Sequence, residues 1–349
     1  MTDIASSAWI AGPSTPRVAV VGCGAIAELF HLPALARHPA VCRTLVLVDP
    51  NRPRAEALAQ RFGAGRVATD LRTVLDDVGG VIVTVPAQLH HSIALECLQN
   101  GKHVLCEKPL ASTSAEVNSL LAAARLSRVT LSVNNTRRLY PSSRRIKELI
   151  GQGALGRLRR IELAWGEKFD WPAASAGYFG PPAQGKGVLL DKGPHALDLV
   201  CWWLGTRPRL VACNDDSFGG TEATVSVTLE HDGCEVQVEL SWLSPYANRV
   251  TIEGDLARVE NHMYDWKTVQ LIPKNGRPRT LREHTRARVL AELGHELIDN
   301  WLQVIGGGTA PLVPGEAVVD SIALIEECYA GRQRYAMPWH DAYRRIVHA

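Results

Sequence analysis

The sequence predicts an α/β chain of two domains: a doubly wound parallel sheet, then an α+β domain with an open-faced, mainly antiparallel sheet. Three observations carry this. Short continuous apolar runs alternate with helical patterns as far as Pro141. Beyond Pro141 the runs alternate residue by residue and helices become few. A chain of 349 residues also exceeds what one hydrophobic core usually serves. The predicted domains are residues 1–141, of which 1–16 are a flexible lead-in, and residues 142–349.

In the first domain the predicted strands are Arg17–Val21, Leu45–Val48, Val81–Val85, His103–Cys106 and Val129–Val133. Predicted helices lie between them: Arg54–Phe62 stopped by Gly63, Leu89–Gln99 stopped by Gly101, and Glu116–Leu126. Thr113 and Glu116 have the spacing of a capping box opening the last of these. In the second domain a helix over Ser142–Ile150 leads to a strand over Leu158–Trp165, and residues 166–187 read as a loop. A helix follows from Pro194 to Leu204. Thr224–Leu229 and Cys234–Leu243 alternate cleanly, and Asp232-Gly233 suits the hairpin turn between them. The sheet's second face is either wet or joined to another subunit. Helical patterns around Arg288–Val304 and Glu316–Tyr329 close the chain.

Composition narrows the function classes. Apolar residues make up 46% and charged residues 21%, with a net charge of +2. That balance is ordinary for a soluble protein and provides no field for nucleic acid or membrane. No apolar run approaches a bilayer span. Residues 1–16 carry Asp3 but no Lys or Arg, so they lack the basic start of a signal peptide. The eight cysteines are scattered without C-x-x-C pairing or zinc spacing. They read as reduced, buried thiols in a cytoplasmic protein.

Gly22-Cys23-Gly24-Ala25-Ile26-Ala27 follows the first strand and opens a helix. Gly22 permits the tight turn, Gly24 lets a pyrophosphate approach the backbone, and Ala27 lets the helix pack closely on the strand. Free N–H groups at the helix start would hold the phosphates. A bare Gly-rich turn is the competing reading. Asp49 tips the balance, because it ends the next strand about 25 residues beyond Gly24, where a carboxylate would hold the ribose hydroxyls. It would also repel a 2′-phosphate, which favours NAD over NADP; Arg52 and Arg54 follow closely and moderate that preference.

Lys108 stands at the carboxyl end of the His103–Cys106 strand, where open α/β sheets bind ligands. Pro109 holds its backbone extended. A lysine there can hydrogen-bond a substrate oxygen, or simply be solvated; position alone leaves both readings open. Asp191-Lys192-Gly193-Pro194-His195 offers a second pair. With Pro194 at the first helical position, His195 falls in the first turn, where the helix terminus disfavours imidazolium. A neutral imidazole suits alcohol–ketone interconversion. The alternative is a capping Asp and a core His. His90-His91 completes no metal site, so no metal is expected. The Arg pairs at 137/138, 144/145 and 159/160 read as solvated faces, with a phosphorylated or nucleotide-linked substrate left open. Trp165, Trp171, Tyr178 and Phe179 lie in or beside the loop before Asp191, as core packing or as a rest for a sugar-like ring.

With these residues in place, the chain resembles the Gfo/Idh/MocA oxidoreductases from about residue 17 to its end. The likeness rests on Gly22–Ala27 with His31-Leu-Pro-Ala-Leu35, Pro86–His90, and Gly101-Lys-His-Val-Leu-Cys-Glu-Lys-Pro-Leu110. It continues through Arg137-Arg138 with Pro141, Gly153-x-x-Gly156, and Gly187-Val-Leu-Leu-Asp191-x-Gly-x-His195-x-x-Asp198. Departures are Ala27 for the commoner Gly, Val85 where Thr is frequent, Thr136 where Asn or Gln often stands, and Lys186 within the usual glycine run.

The resemblance implies a Rossmann domain and a catalytic group of Lys108, Asp191 and His195. His195 would be the main acid/base, and Lys108 would contact substrate and cofactor. Gly22, Gly24, Ala25, Ile26, Asp49, Thr84, Pro86, His90, Glu107 and Lys108 would bind NAD. Tyr178 would join Lys108, Asp191 and His195 in holding a sugar, amino sugar or cyclitol. Dimers or tetramers would form on the second domain's sheet. A non-catalytic dinucleotide-binding sensor, or an imine or enone reductase on the same scaffold, is the alternative.

Overall fold

The computed structural model describes residues 15–170, 187–217, 220–285 and 287–336. By packing, the described chain forms two compact units. Residues 15–107, 119–134 and 289–314 make one; residues 108–118, 135–288 and 315–336 make the other.

The first unit runs Val18–Val21 (β1), Leu32–Leu35 (α1), Pro39–Cys42 (α2), Val46–Val48 (β2), Arg52–Phe62 (α3), Arg66–Ala68 (β3) and Gly80–Val83 (β4). His90–Gln99 (α4), His103–Glu107 (β5), Ser114–Ser127 (α5, of which 119–127 belong here) and Leu131–Asn134 (β6) follow. The six strands lie in the order β3-β2-β1-β4-β5-β6, every pair parallel. Strands β1, β2 and β4 are buried throughout, which explains their unbroken apolar runs. The strand order reverses between β1 and β4, so the glycine loop after β1 sits at the sheet's switch point. Strand β3 has no counterpart in the sequence reading. It is only three residues long, begins with the exposed Arg66 and is otherwise half-buried, so it carries no apolar run. The capping box is present: Glu116 N–H donates to Thr113 Oγ1 at 3.2 Å, while its carboxylate accepts from Ser112 N–H at 2.8 Å.

The second unit holds Pro141–Gly151 (α6), Leu158–Gly166 (β7), Val188–Leu204 (α7), Arg209–Asp215 (β8), Thr224–His231 (β9) and Cys234–Ser241 (β10). Arg249–Gly254 (β11), Ala257–His262 (β12), Thr268–Pro273 (β13) and Arg279–Arg282 (β14) follow. The chain then returns to the first unit for Leu293–Ile305 (α8) before Val319–Gly331 (α9) and Gln333–Arg334 (β15). The nine strands lie in the order β14-β13-β12-β11-β7-β10-β9-β8-β15. Pairing is antiparallel except for β7 with β10 and β8 with β15. The predicted alternation holds: Cys234, Val236, Val238, Leu240 and Trp242 are all buried. The turn residues Asp232 and Gly233 both take positive φ (49° and 77°), as a two-residue hairpin of the predicted kind requires. Helix α7 packs on β9 and β10 and against α6 and α9. The opposite sheet face is polar, with cross-strand bonds such as Ser226 to Glu239 and Thr228 to Gln237.

One predicted boundary is corrected. Helix α7 begins at Val188, not at Pro194, which lies inside it. Its start is held from a distance. The Glu222 carboxylate accepts from Gly187 N–H at 2.9 Å and Leu189 N–H at 3.2 Å, and the Glu222 carbonyl accepts from Val188 N–H. The preceding Gly193 has no Cβ to clash with the proline ring, which lets the helix pass through Pro194.

Gly22 admits no side chain. Its φ is +97°, and a Cβ there would lie 2.8 Å from the carbonyl carbon of Thr84. Gly22→Ala is expected to destabilise the first unit by roughly 2–4 kcal/mol in ligand-free denaturant unfolding. A loss under about 0.5 kcal/mol, the scale of an ordinary surface change, would contradict this close packing.

Candidate active site

In the first unit the glycine loop and the end of β2 are tied together. Cys23 N–H donates to Asp49 Oδ2 at 2.6 Å, and Asn51 N–H donates to Oδ1 at 2.8 Å. Thr84 Oγ1 donates to the Gly22 carbonyl at 2.6 Å. A Cβ on Gly24, by contrast, would meet nothing within 4 Å, so the backbone there faces open space. Ala25 and Ile26 start the helical segment and are half-buried, while Ala27 is fully buried. Open space beside a helix start is where a pyrophosphate could be held. The nearby arginines are occupied. Arg54 pairs with Glu28 and donates to the Cys23 carbonyl, Arg61 also reaches Glu28, and Arg52 pairs with Glu56 at 2.8 Å.

The other predicted residues of this unit lie around the ends of β4 and β5. His90 is buried at the start of α4, its Nε2 2.8 Å from the Val85 carbonyl. Pro86 precedes a short 3-10 turn, Ala87–Leu89. Glu107 is buried at the end of β5, where its carboxylate accepts from Asn134 Nδ2 and lies 2.6 Å from His31 Nε2. Lys108 follows immediately, through a cis bond to Pro109.

In the second unit Lys108, Asp191 and His195 come together. Lys108 Nζ donates to Asp191 Oδ1 and to the Asp191 carbonyl, both at 2.9 Å. Trp242 Nε1–H donates to the other carboxylate oxygen at 3.1 Å. Asp191 therefore does not cap a helix; it lies in the first turn of α7. His195 lies one turn further on, which moves it away from the helix terminus.

Asn135 orients the imidazole. Its Nδ2 donates to the Pro194 carbonyl at 2.9 Å, so its Oδ1 must be the atom 2.9 Å from His195 Nδ1. An acceptor there assigns the proton to Nδ1 and leaves Nε2 as the basic nitrogen. Burial first, then the positive charges of Lys108, Arg137 and Lys192, hold this imidazole well below its ordinary pKa. The direction favours the neutral ring, and its cause is burial among cations where the sequence reading looks to a helix dipole.

A second correction concerns Arg137 and Arg138, which are buried rather than solvated. Arg138 grips Asp198 through two bonds of 2.7 Å. Arg137 lies over the rings of Tyr140, Trp165 and Tyr264 at 4.4–5.0 Å. Trp165 also faces His195, with ring centroids 5.9 Å apart. Lys192 Nζ is 2.9 Å from Glu167 and 4.6 Å above the Trp165 ring. Burial lowers the Lys192 pKa against the pull of Glu167. Burial opposes ionisation of Glu167, but bonds from Lys192, Tyr264 and Trp165 together hold its carboxyl below the usual range. Sequence reasoning missed Asn135, Lys192, Glu167, Trp242 and Tyr264, whose roles depend on long-range placement. The predicted Tyr178, with Trp171 and Phe179, lies outside the described residues.

Residues 16–135 match the oxidoreductase family with an NAD-binding Rossmann fold, and residues 143–260 match the GFO/IDH/MocA C-terminal domain. Inositol 2-dehydrogenase 2 of Saccharopolyspora erythraea is 30% identical over 278 residues, covering 76% of this chain and 78% of its own. A 3-ketoreductase from Actinomadura kijaniata, solved with NADP and TDP-benzene, shares the fold with a TM-score of 0.79 at 23% identity. It covers 93% of this chain and 100% of its own. A levoglucosan dehydrogenase solved with NADH and levoglucosan gives a TM-score of 0.76 at 20% identity, over 90% and 96% of the two chains. No helix among the described residues is long and apolar enough to cross a membrane. Two matched domains and a relative of this likeness establish that the chain belongs to the Gfo/Idh/MocA oxidoreductases.

Proposed function

We propose that this protein is an NAD-dependent dehydrogenase or ketoreductase interconverting a secondary alcohol and a ketone on a sugar, amino sugar or cyclitol. The observation that carries the reading is the buried, Asn135-oriented His195 in the same unit as the Lys108–Asp191 pair. A buried imidazole with its proton fixed on Nδ1 offers Nε2 to a substrate hydroxyl. Among the described residues, no hydrogen bond to Nε2 competes for it. Bound nicotinamide would supply the hydride acceptor or donor at C4. In oxidation Nε2 takes the hydroxyl proton, and the Lys108 ammonium stabilises negative charge developing on the same oxygen. Asp191 aims Lys108 through two contacts and is itself held by Trp242. The reverse steps serve ketone reduction.

Support for NAD comes from Asp49 and from the charges around it. Its carboxylate lies against the glycine loop, and Glu28 engages the two arginines best able to meet a 2′-phosphate, Arg54 and Arg61. The inositol and levoglucosan dehydrogenases support a polyhydroxylated substrate for this chain as well.

Lys108→Ala and His195→Ala are each expected to lower turnover at least about ten-fold while NADH binding survives. The check is steady-state kinetics beside NADH fluorescence titration. Near-normal turnover in both variants would remove these roles, and no absorbance change across a broad sugar and cyclitol panel would favour a sensor. Asp49→Ala is expected to narrow the preference for NAD over NADP by about ten-fold, equivalent to roughly 1.4 kcal/mol of charge repulsion. A parent enzyme that prefers NADP would contradict the cofactor assignment.

A further inference from the structure

The buried Arg pair divides into two different situations. Arg138 has a carboxylate partner, Asp198, in bidentate contact. Arg137 is equally enclosed, with 6% of its surface exposed. Yet its guanidinium donates to the Met263 carbonyl, and among the described residues no carboxylate lies within ion-pair reach of it. The other charges around it cancel in pairs: Lys108 with Asp191, and Lys192 with Glu167. One positive charge is left over. Three aromatic rings offset part of its desolvation, but a ring face does not replace a counter-ion. Burying an unpaired charge is costly, and a guanidinium presents a planar fork that matches carboxylate and phosphate. Trp165 joins this cation to His195, since Arg137 and Lys192 both lie over its ring and the ring neighbours the imidazole.

We propose that the substrate carries a compact anionic group, a carboxylate or phosphate ester on the sugar or cyclitol ring, which ion-pairs with Arg137. Lys192 flanks that subsite, and the Trp165 ring lies between the anion and the carbon that reacts. This rests on the preceding reading of His195 as the acid/base. Arg137 is then a specificity determinant, and Glu167 keeps Lys192 from acting as a second full counter-charge.

The test compares glucose, glucuronate and glucose 6-phosphate, and myo-inositol with its 1-phosphate, by calorimetric binding to the NADH-loaded full chain and by turnover. An acidic ligand should bind at least ten-fold more tightly than its neutral partner. Arg137→Met should bring the two within about two-fold, and Arg137→Lys should retain an intermediate preference. Arg137→Lys also keeps the test open if the methionine variant does not fold. Carboxylate and phosphate are separated by which acidic ligand gains more. Equal binding of neutral and acidic ligands, or a preference that survives in both variants, would overturn the proposal. Acidic ligands that bind through Arg137 but never change nicotinamide absorbance would sink the redox reading alone. Neutral sugars turned over in a His195-dependent way, with acidic ones excluded, would sink this inference alone.

Discussion

The hydrogen bond between Asn135 and His195 decides what the candidate site can do. An imidazole has two nitrogens, and only one can be the base. The Pro194 carbonyl fixes the Asn135 amide, and that amide fixes the proton on Nδ1. Both contacts require α7 to run unbroken through Pro194 so that the carbonyl and the ring present themselves to one side chain. That course depends in turn on Gly193 and on Glu222 holding the helix start. A chain of local choices thus ends in a single chemical assignment.

Charge then tunes what orientation has set. Three cations crowd a buried imidazole, so protonating it is opposed by both desolvation and repulsion. Two of those cations are neutralised by their own carboxylates. The third, Arg137, is held by rings and a carbonyl, and it keeps the region positive without supplying a base of its own. Arg137 adds to the repulsion that opposes protonation of His195, and the same charge would draw a negatively charged substrate.

The first unit was highly legible in the sequence because parallel strands covered on both faces leave continuous apolar runs. The runs Arg17–Val21 and Val81–Val85 mark the strands Val18–Val21 and Gly80–Val83, whereas Arg66–Ala68 leaves no such trace. Gly22 was legible for a backbone reason, and the structure adds a steric one, its contact with Thr84. Spacing and resemblance single out Lys108, Asp191 and His195 as candidates. The start of α7 was not legible, because proline is normally a helix-opening signal and the real cap, Glu222, stands 35 residues from Gly187. The Arg pair was misread because burial of a charge depends on partners that no local pattern reveals: Asp198 for one, and the rings of Tyr140, Trp165 and Tyr264 for the other.

The central claim is that His195 is a neutral base with its proton on Nδ1. Nitrogen NMR of histidine-labelled protein, assigned with His195→Gln, measures this directly. The account predicts a protonated Nδ1, an unprotonated Nε2, and no titration as the pH falls from about 8 to about 6, through the ordinary histidine range. A proton on Nε2, or a ring that titrates near about 6.5, would contradict it.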